Sequence, residues 1–536
     1  MSQATSTLDG ILMPGTPASV CAHYQTLASR AEQADFGVLE QDIVVLDTET
    51  TGLSFRDCEL IQIAAARISG REVVERFETF VHPGRPIPPE ITRLTGIRDL
   101  DVMDAPSPRD AVAALTEFVG GMPVLAHNAT FDRTFIESVP GGREVSDFWI
   151  DSLALSRIAL PRLSTHRLAD MAEAFGVAAV THRAGDDVDA LIGMWRIILC
   201  ALLDLPEGLL AHLASMHPEV EWAYRPVLSH LANEQGNTPF SLKVVRRDLA
   251  GENPAHPRGD AAEFAGDLTA PDLETIDAAF SPGGVVARMY DTYETRPEQR
   301  EMAREVATAL ATRTHRAIEA GTGVGKSVAY LLPMVLFAQE NDITVGVATK
   351  TNALTDQLIT HELPELARAL PNGLTFASLK GYDHYPCLRR LERAAASELP
   401  LSLVEGDGRS DAAISQDMLT AIAVTYAFAC QSTDGDLDAL GIRWRAVPRS
   451  MLTTTSAECQ RSRCPFFPNE CLLHGARRRA ASADIVVTNH SLLLRNVDAD
   501  GKILPPIRHW VIDEAHAFES EARCNPSAPS PQCLRG

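Results

Sequence analysis

Two carboxylates stand at the end of a short apolar run near the start of the chain. Residues 43–46 (IVVL) have the composition of a buried strand, with residues 61–65 as its hairpin partner, and Asp47 and Glu49 follow at i and i+2. Strand alternation predicts that both carboxylates lie on one face, a few ångströms apart. A divalent cation would relieve their repulsion, although a polar strand end before a glycine turn explains the same residues.

Further acids and a histidine occur later in the first half. The segment HNATFD ends in Asp132, and the segment HRAGDD contains His182 five residues before Asp187. A histidine with a pKa near neutrality can take a proton from water, and grouped carboxylates can hold metal ions. Taken singly, His127 and Asp186 are explained equally well as a half-buried structural histidine and a solvated acid.

The second half contains two segments with the spacing of a nucleotide site. The sequence AGTGVGKS has Ala320 where the strict phosphate-loop pattern has its first glycine, and further on an apolar strand ends in DEAH. Backbone N–H groups of such a loop cradle phosphate, its lysine pairs with the β- and γ-phosphates, and its serine binds Mg²⁺. The residues predicted to bind ATP and its Mg²⁺ are Gly321, Thr322, Gly323, Val324, Gly325, Lys326, Ser327 and Asp513.

The composition is typical of a globular protein. The chain has 536 residues, a net charge of −23 and 45% hydrophobic residues, which excludes wholesale disorder. It shows neither a signal-peptide pattern at its start nor an apolar stretch that could cross a bilayer, so we expect a cytoplasmic protein without a membrane partner. In that reducing compartment, metal explains organised cysteines better than disulfides do.

Strand and helix patterns alternate over two regions, so the predicted fold class is α/β. Residues 41–203 and 296–520 are predicted as the two α/β domains. Residues 204–295 include 15 acidic residues and 6 lysines or arginines, and we predict an acidic linker region there. Residues 1–40 are an N-terminal extension, and residues 521–536 are predicted as an irregular tail.

The segments DTETTG, HNATFD and HRAGDD resemble, in this order, the three motifs of the DnaQ-type 3′–5′ exonucleases. The resemblance covers residues 41–203 and implies a ribonuclease H-like fold that acts on single-stranded DNA or DNA 3′ ends. It implies two Mg²⁺ or Mn²⁺ ions, with His182 as the general base and Glu49 in the catalytic set. The implied metal ligands are Asp47, Glu49, Asp132 and Asp187.

The second half resembles the XPD/DinG family of DNA helicases. Besides the phosphate loop and the DEAH box, the segments RPEQ, TKT and VVTNH are similar to segments of helicases of this kind. The resemblance implies a P-loop RecA-like domain in which Gln299 reads adenine and Glu514 orients the hydrolytic water. It also implies an inserted iron–sulfur domain, expected at about residues 380–480.

Cysteines between the two boxes support this insertion. The resemblance implies that a [4Fe–4S] cluster is held by Cys387, Cys459, Cys464 and Cys471. Two alternatives stay open: zinc held by the last three cysteines together with His474, or unligated cysteines in the core. Residues 441–480 contain 8 arginines and 2 acidic residues, which favours contact with phosphates of a nucleic acid.

A helicase of this family has a second RecA-like domain that completes the ATP site. Only 23 residues follow Asp513, so we expect that domain to be missing. The sequence therefore predicts a working exonuclease joined to the ATP-binding half of a helicase, with unwinding impaired unless a partner chain supplies the second motor domain. Two alternatives are a nuclease whose ATP and iron–sulfur regions only tether DNA, and an exonuclease that trims RNA.

Overall fold

The computed structural model describes residues 7–13, 15–236, 238–252, 268–321, 323–396, 411–440, 442 and 447–524. The predicted phosphate-loop residue Thr322 and residues 525–536 of the predicted irregular tail lie outside these ranges. Residues 521–524 of that predicted tail are helical, because they continue the helix Phe518–Cys524. The chain forms two compact units, one of Met1–Leu249 with Pro386–Thr454 and one of Ala250–Tyr385 with Thr455–Gly536. In the ranges given above, every helix is too short or too polar to cross a membrane.

A five-stranded sheet with the order β3-β2-β1-β4-β5 is the centre of the first unit. Its strands are β1 Gln41–Thr50, β2 Leu60–Ser69, β3 Glu72–Phe80, β4 Val124–Ala126 and β5 Trp149–Asp151. The first three strands form an antiparallel meander, which confirms the predicted hairpin, and β4 and β5 run parallel to β1. Residues 43–46 are all buried, so both faces of β1 are covered, as the unbroken apolar run predicts.

Helices surround this sheet. One face of β1 packs on the helix Pro108–Val119, which begins at the N-cap Ser107 and ends at the left-handed Gly120. The helix Ala184–Leu203 contacts β1 and β2 and buries Trp195 completely. The described helices of the unit are Ala18–Ala31, Pro89–Thr95, Asp99–Val102, Pro108–Val119, Ala129–Ser138, Ser152–Ala159, Leu168–Phe175, Ala184–Leu203, Leu209–Ser215, Arg225–Gln235, Leu242–Glu252, Leu388–Ala395, Asp411–Gln431 and Arg449–Leu452.

Residues 204–252 differ from the linker that we predicted for 204–295. They form the helices Leu209–Ser215 and Arg225–Gln235 and most of Leu242–Glu252, and the first two pack against each other. Leu209, Leu213 and Leu228 are completely buried. The prediction weighted the average acidic charge, whereas apolar residues at three- and four-residue spacing decide whether a helix packs. Residues 253–267 of the predicted linker lie outside the described ranges.

The predicted iron–sulfur insertion is divided between the two units. Residues 386–454 belong to the first unit, where the helix Asp411–Gln431 packs against Ser152–Ala159. Arg162 is fully buried there, and it forms an ion pair of 3.0 Å with Asp434 and lies over the ring of Phe428. The buried guanidinium thus has its charge partner in the segment 386–454, so this part of the predicted insertion is built into the first unit.

The second unit has a four-stranded parallel sheet with the order β7-β8-β6-β9. Its strands are β6 Val345–Thr349, β7 Phe376–Ser378, β8 Ile485–Asn489 and β9 Trp510–Ile512. Buried side chains of β6 and β8 form one core with the apolar helix Lys326–Asn341. Its other described helical segments are Leu273–Ala279, Pro297–Thr312, Asn352–Gln357, the π-helical turn Leu358–Glu362, Leu363–Ala369, Leu472–Ser482, His490–Asp498 and Phe518–Cys524.

Candidate metal centre and nucleotide site

The carboxyl end of β1 carries the first two acids. Asp47 and Glu49 are half-buried and alternate with the buried Thr48 and Thr50, so the two carboxylates share one face of the strand as predicted. In the antiparallel pairing with β2, Glu49 lies directly opposite Gln62. The strand therefore presents two acids at the edge where β4 and β5 also end.

Asp132 reaches the same place from the helix Ala129–Ser138. Its side chain is only 2% exposed and accepts a hydrogen bond of 2.8 Å from the Thr48 hydroxyl to Oδ1. The helix follows β4 through Asn128, which has a left-handed φ of 66°. The turn thus directs the first turn of the helix, and Asp132 with it, toward the end of β1.

Asp187 and His182 come from the start of the helix Ala184–Leu203. Asp187 lies in the first turn, is buried, and accepts a hydrogen bond of 3.0 Å from the Thr181 N–H to its Oδ1. His182 is exposed and has a left-handed φ of 59°. One ligand atom each from Glu49, His182 and Asp187 lies within 4.8 Å of the other two. The structure therefore brings together residues that are 133 and 138 positions apart in the sequence.

The four carboxyl groups repel one another in a partly dry site. Burial, followed by the charges of the other three acids, raises the pKa of Asp47 well above its usual range. Burial and the charges of Asp187 and Asp132 raise the pKa of Glu49 to about 8. Burial also raises the pKa of Asp132 to about 7, against the hydrogen bond from Thr48, and it raises the pKa of Asp187.

This donor set fits divalent metal ions. The oxygen ligands are hard, as Mg²⁺ and Mn²⁺ require, and the main influences on Asp47 and Glu49 are burial and like charge. A cation at this position would restore the ionised form of all four carboxyls. The four acids therefore form a candidate metal site, and their individual roles as ligands stay predictions.

Two polar residues beside the centre are structural. His127 contacts the Ser152 hydroxyl through Nδ1 at 2.9 Å and the His166 carbonyl through Nε2 at 2.9 Å, and burial lowers its pKa. Asp151 accepts hydrogen bonds of 2.9 Å from the N–H groups of Asn128 and Leu153. The sequence analysis missed Asp151. Its only signal in the sequence is that an acid follows the two apolar residues at the start of β5.

The predicted nucleotide residues converge in the second unit. The Lys326 ammonium donates to Glu514 of the DEAH box at 3.1 Å, which lowers the pKa of that carboxyl. Gly323 and Gly325 have φ values of 82° and 83°, which favour glycine in a tight phosphate loop. The Gln299 side chain is buried and donates to the Gly325 carbonyl at 2.9 Å, directly at the loop. Gly321, Val324 and Ser327 lie in or beside the same loop.

Tyr330 links the two predicted Mg²⁺ ligands of this unit, and the sequence analysis missed it. Its hydroxyl donates to the Asp513 Oδ2 at 3.1 Å and shares a hydrogen bond with Ser327. The main chain of Asp513 is held as well, because its N–H donates to Ala348 at 2.9 Å and its carbonyl contacts His490 Nε2 at 2.8 Å. Tyr330 lies three residues after Ser327 on one helix, and that spacing was the available signal.

The four predicted cluster cysteines are half-buried, but they belong to different units. Cys387 lies in the first unit, where its N–H donates to the Leu452 carbonyl at 2.7 Å, whereas Cys459, Cys464 and Cys471 lie in the second. His474 packs its ring edge on Phe467.

The arginine run 477–479 is partly occupied by internal contacts. Arg478 donates to the Asn469 carbonyl at 3.0 Å, in the segment between Cys464 and Cys471. Arg477 lies over the ring of Tyr382 at 5.3 Å. Two of the three arginines therefore stabilise the fold of the second unit, a use that the phosphate-contact interpretation did not anticipate.

Comparison with known proteins assigns the first unit. The exonuclease family profile matches residues 44–194, the range that contains all four acids and His182. Residues 44–194 form an exonuclease domain. The chain therefore carries a nuclease domain of the hydrolase class, and an exonuclease domain of this kind implies divalent metal ions.

Relatives extend the similarity into the second unit. The chain is 30% identical over 496 residues to the 3′-5′ exonuclease DinG of Bacillus subtilis, covering 90% of this chain and 50% of that protein. It is 37% identical over 234 residues to the ATP-dependent helicase DinG of Mycobacterium tuberculosis, covering 41% of this chain and 33% of that protein. The chain is thus homologous to DinG proteins and spans half or less of their length.

Among solved structures, the chain is similar to exonuclease X in complex with 5′ overhanging duplex DNA. The identity is 24% and the TM-score is 0.25, over 29% of this chain and 90% of that one.

We predict that Glu49→Gln stabilises the metal-free protein in a pH-dependent way. A carboxyl whose pKa is higher in the folded than in the unfolded state lowers the free energy of unfolding as the pH rises. This loss begins near the unfolded-state pKa of about 4.5 and continues to the folded-state pKa of about 8. The variant should unfold with a free energy equal to that of the unchanged protein below about pH 4, and higher by on the order of 1–3 kcal/mol at pH 8.

Urea unfolding in EDTA, followed by tryptophan fluorescence, measures this difference. Glu137→Gln is the matched control, because Glu137 is a half-buried carboxyl on the helix Ala129–Ser138 that pairs with Arg133 instead of facing other acids. Mg²⁺ should stabilise the unchanged protein more than Glu49→Gln. A difference between the two proteins that is constant from pH 5 to pH 8 would contradict the prediction.

Proposed function

We propose that the first unit is a metal-dependent 3′–5′ exonuclease that acts on DNA. The observation that carries this proposal is the group of four mutually repelling carboxyls beside an exposed histidine, inside the range of the exonuclease family. The 3′–5′ direction is supported by the similarity to the 3′-5′ exonuclease DinG of Bacillus subtilis.

Asp47, Glu49, Asp132 and Asp187 would hold two Mg²⁺ or Mn²⁺ ions. Bound ions supply charge stabilisation to the attacking and leaving oxygens at the phosphorus. His182 is exposed next to Glu49 and Asp187, so water at the site can give its proton to the imidazole. The buried Thr48 holds Asp132 in one rotamer through its hydroxyl.

We expect Asp187→Asn and His182→Ala each to lower the rate of nucleotide release by ~100-fold or more, because each removes a metal ligand or the proton acceptor. Release of labelled nucleotides from a 3′-labelled DNA strand in Mg²⁺ or Mn²⁺ measures the rate. Asp189→Asn is the matched control on the same helix, since its exposed carboxyl pairs with Arg76.

Unchanged degradation by both variants would refute the assignment. The same assay with an RNA strand separates the alternatives for the substrate. Faster release from RNA than from DNA would make the protein an RNA-trimming exonuclease.

We propose for the second unit the ATP-binding half of a DinG-type helicase, with a RecA-like fold. The support is the approach of the phosphate loop and the DEAH box, where Lys326 pairs with Glu514. Lys326 would bind the β- and γ-phosphates, Ser327 and Asp513 would bind Mg²⁺, and Glu514 would orient the hydrolytic water. Gln299 would read the adenine from its place beside Gly325.

Binding of a fluorescent ATP analogue with Mg²⁺ should be weaker by about 10-fold or more in Lys326→Ala, which removes a charge-assisted contact to phosphate. Lys502→Ala, an exposed lysine of the same unit, is the control. Equal affinity of both variants and the unchanged protein would contradict an ATP site here.

ATP turnover then separates a motor from a tether. Turnover stimulated by single-stranded DNA and lost in Lys326→Ala would identify a motor. Nucleotide binding without such turnover would identify a unit that only binds DNA and localises the nuclease.

We also propose that a [4Fe–4S] cluster is held by Cys387, Cys459, Cys464 and Cys471. The support is their sequence context between the phosphate loop and the DEAH box, and all four cysteines are half-buried. Iron per protein after anaerobic purification should fall by about half or more in Cys387→Ser and in Cys464→Ser, because each removes a ligand.

Cys430→Ser, a buried cysteine outside this set, is the control for the iron measurement. Zinc content that depends on His474 and Cys464 but not on Cys387 would instead support the zinc alternative. Unligated cysteines predict that neither metal is retained by the unchanged protein.

A further inference from the structure

Gln62 joins the sheet to the segment that carries His182 and Asp187. It lies on β2 opposite Glu49, and its side chain is 1% exposed. Its Oε1 accepts a hydrogen bond of 3.2 Å from the Ala184 N–H, and its Nε2 donates to Glu78 on β3 at 2.8 Å. One amide therefore connects two strands to the start of a helix.

The Ala184 N–H needs this acceptor. It is the first N–H group of the helix Ala184–Leu203, and such groups have no partner inside their own helix. The N-cap residue Arg183 provides no side-chain hydrogen bond, and Ala184 is completely buried. A buried N–H without an acceptor is costly, so Gln62 substitutes for the missing cap.

Glu78 determines which end of the Gln62 amide faces the helix. Because the Glu78 carboxylate accepts from Nε2, the Oε1 must point to Ala184. Glu78 also lies under Gly185, since a Cβ at that position would be 3.4 Å from its Oε2. The two side chains together form the support on which the helix begins.

The place where this helix begins decides where His182 and Asp187 lie. Asp187 lies in the first turn of the helix. His182 lies two residues before the first helical residue, Ala184, in a left-handed conformation that the surrounding structure must hold. The bond from Thr181 to Asp187 closes the segment on itself, whereas Gln62 fixes it to the sheet that carries Glu49.

The geometry points to Gln62 as a positioning residue of the exonuclease site, which sets His182 and Asp187 against Glu49 and is itself oriented by Glu78. This inference rests on the proposed exonuclease function. A shift of the catalytic base by about 1 Å is enough to slow an enzyme markedly, so a residue that touches neither substrate nor metal can control the rate.

Exchange of the two partners tests this inference in the full-length chain. Gln62→Leu removes the acceptor, and Gln62→Glu keeps an acceptor but places two carboxylates against each other. The double variant Gln62→Glu/Glu78→Gln restores one donor and one acceptor in reversed order. Glu75→Gln, an exposed carboxyl on the same strand as Glu78, is the control.

We expect Gln62→Leu to lower kcat for a 3′-labelled DNA strand by about 10- to 100-fold, with KM within about twofold of the unchanged protein. Gln62→Glu should be slow as well, and the double variant should recover kcat to within about threefold. Recovery by the double variant also guards against the possibility that Gln62→Leu merely fails to fold.

Amide hydrogen exchange provides a readout that does not depend on activity. Exchange of the peptide that contains Ala184 should be faster in Gln62→Leu and in Gln62→Glu and return to the original rate in the double variant. An unchanged kcat in Gln62→Leu, or a double variant no better than Gln62→Glu, would overturn the inference. A protein that degrades no nucleic acid but shows this exchange pattern would refute the exonuclease function and retain the contact.

Discussion

Repulsion among four carboxyl groups, two of them buried and two half-buried, is the constraint on which the first unit depends. Two of them come from one strand and two from separate helices. Burial raises the pKa of all four, and the charges of neighbouring acids of the group raise the pKa of Asp47 and Glu49 further. Ionised carboxyl groups are solvated best in water, so the solvation of these acids opposes their position in the site. The acids are held in place against this repulsion by a rigid frame. The frame consists of the covered sheet, the Thr48 hydroxyl and the buried helix starts. A site of this kind is incomplete without a cation, and this is the physical reason for assigning metal ions to it.

The acids of the second unit are in a different electrostatic environment. Its acidic group at the DEAH box already has a cation, because Lys326 and Glu514 pair across the site at 3.1 Å. In the proposed ATP site, a phosphate would compete with Glu514 for the lysine, and Mg²⁺ would take the place next to Asp513 that the Tyr330 hydroxyl contacts. One acid of this site thus has a cationic partner within the protein, whereas the four carboxyls of the first unit raise one another's need for a bound cation.

The two structural units do not follow the order of the motifs along the sequence. Residues 386–454 follow the phosphate loop in sequence but pack with the exonuclease domain, and the completely buried Arg162 pairs with Asp434 across 272 positions. Cys387 therefore belongs to the unit that carries the nuclease domain, while the other three proposed cluster ligands belong to the unit with the phosphate loop.

Local patterns in the sequence were enough to predict several features of this protein. Strand alternation located Asp47 and Glu49 on one face, and an unbroken apolar run predicted a strand covered on both sides. Motif spacing predicted the acids, the histidine and the phosphate loop. Each of these depends on neighbours within a few residues. Average charge misled the analysis over residues 204–252, where apolar spacing forms packed helices. Only the tertiary structure decided the contacts of Thr48 with Asp132, Gln62 with Ala184, and Arg162 with Asp434. Each joins residues at least 84 positions apart, and a hydrogen bond of that range has no local pattern, since its geometry exists only after the elements have packed.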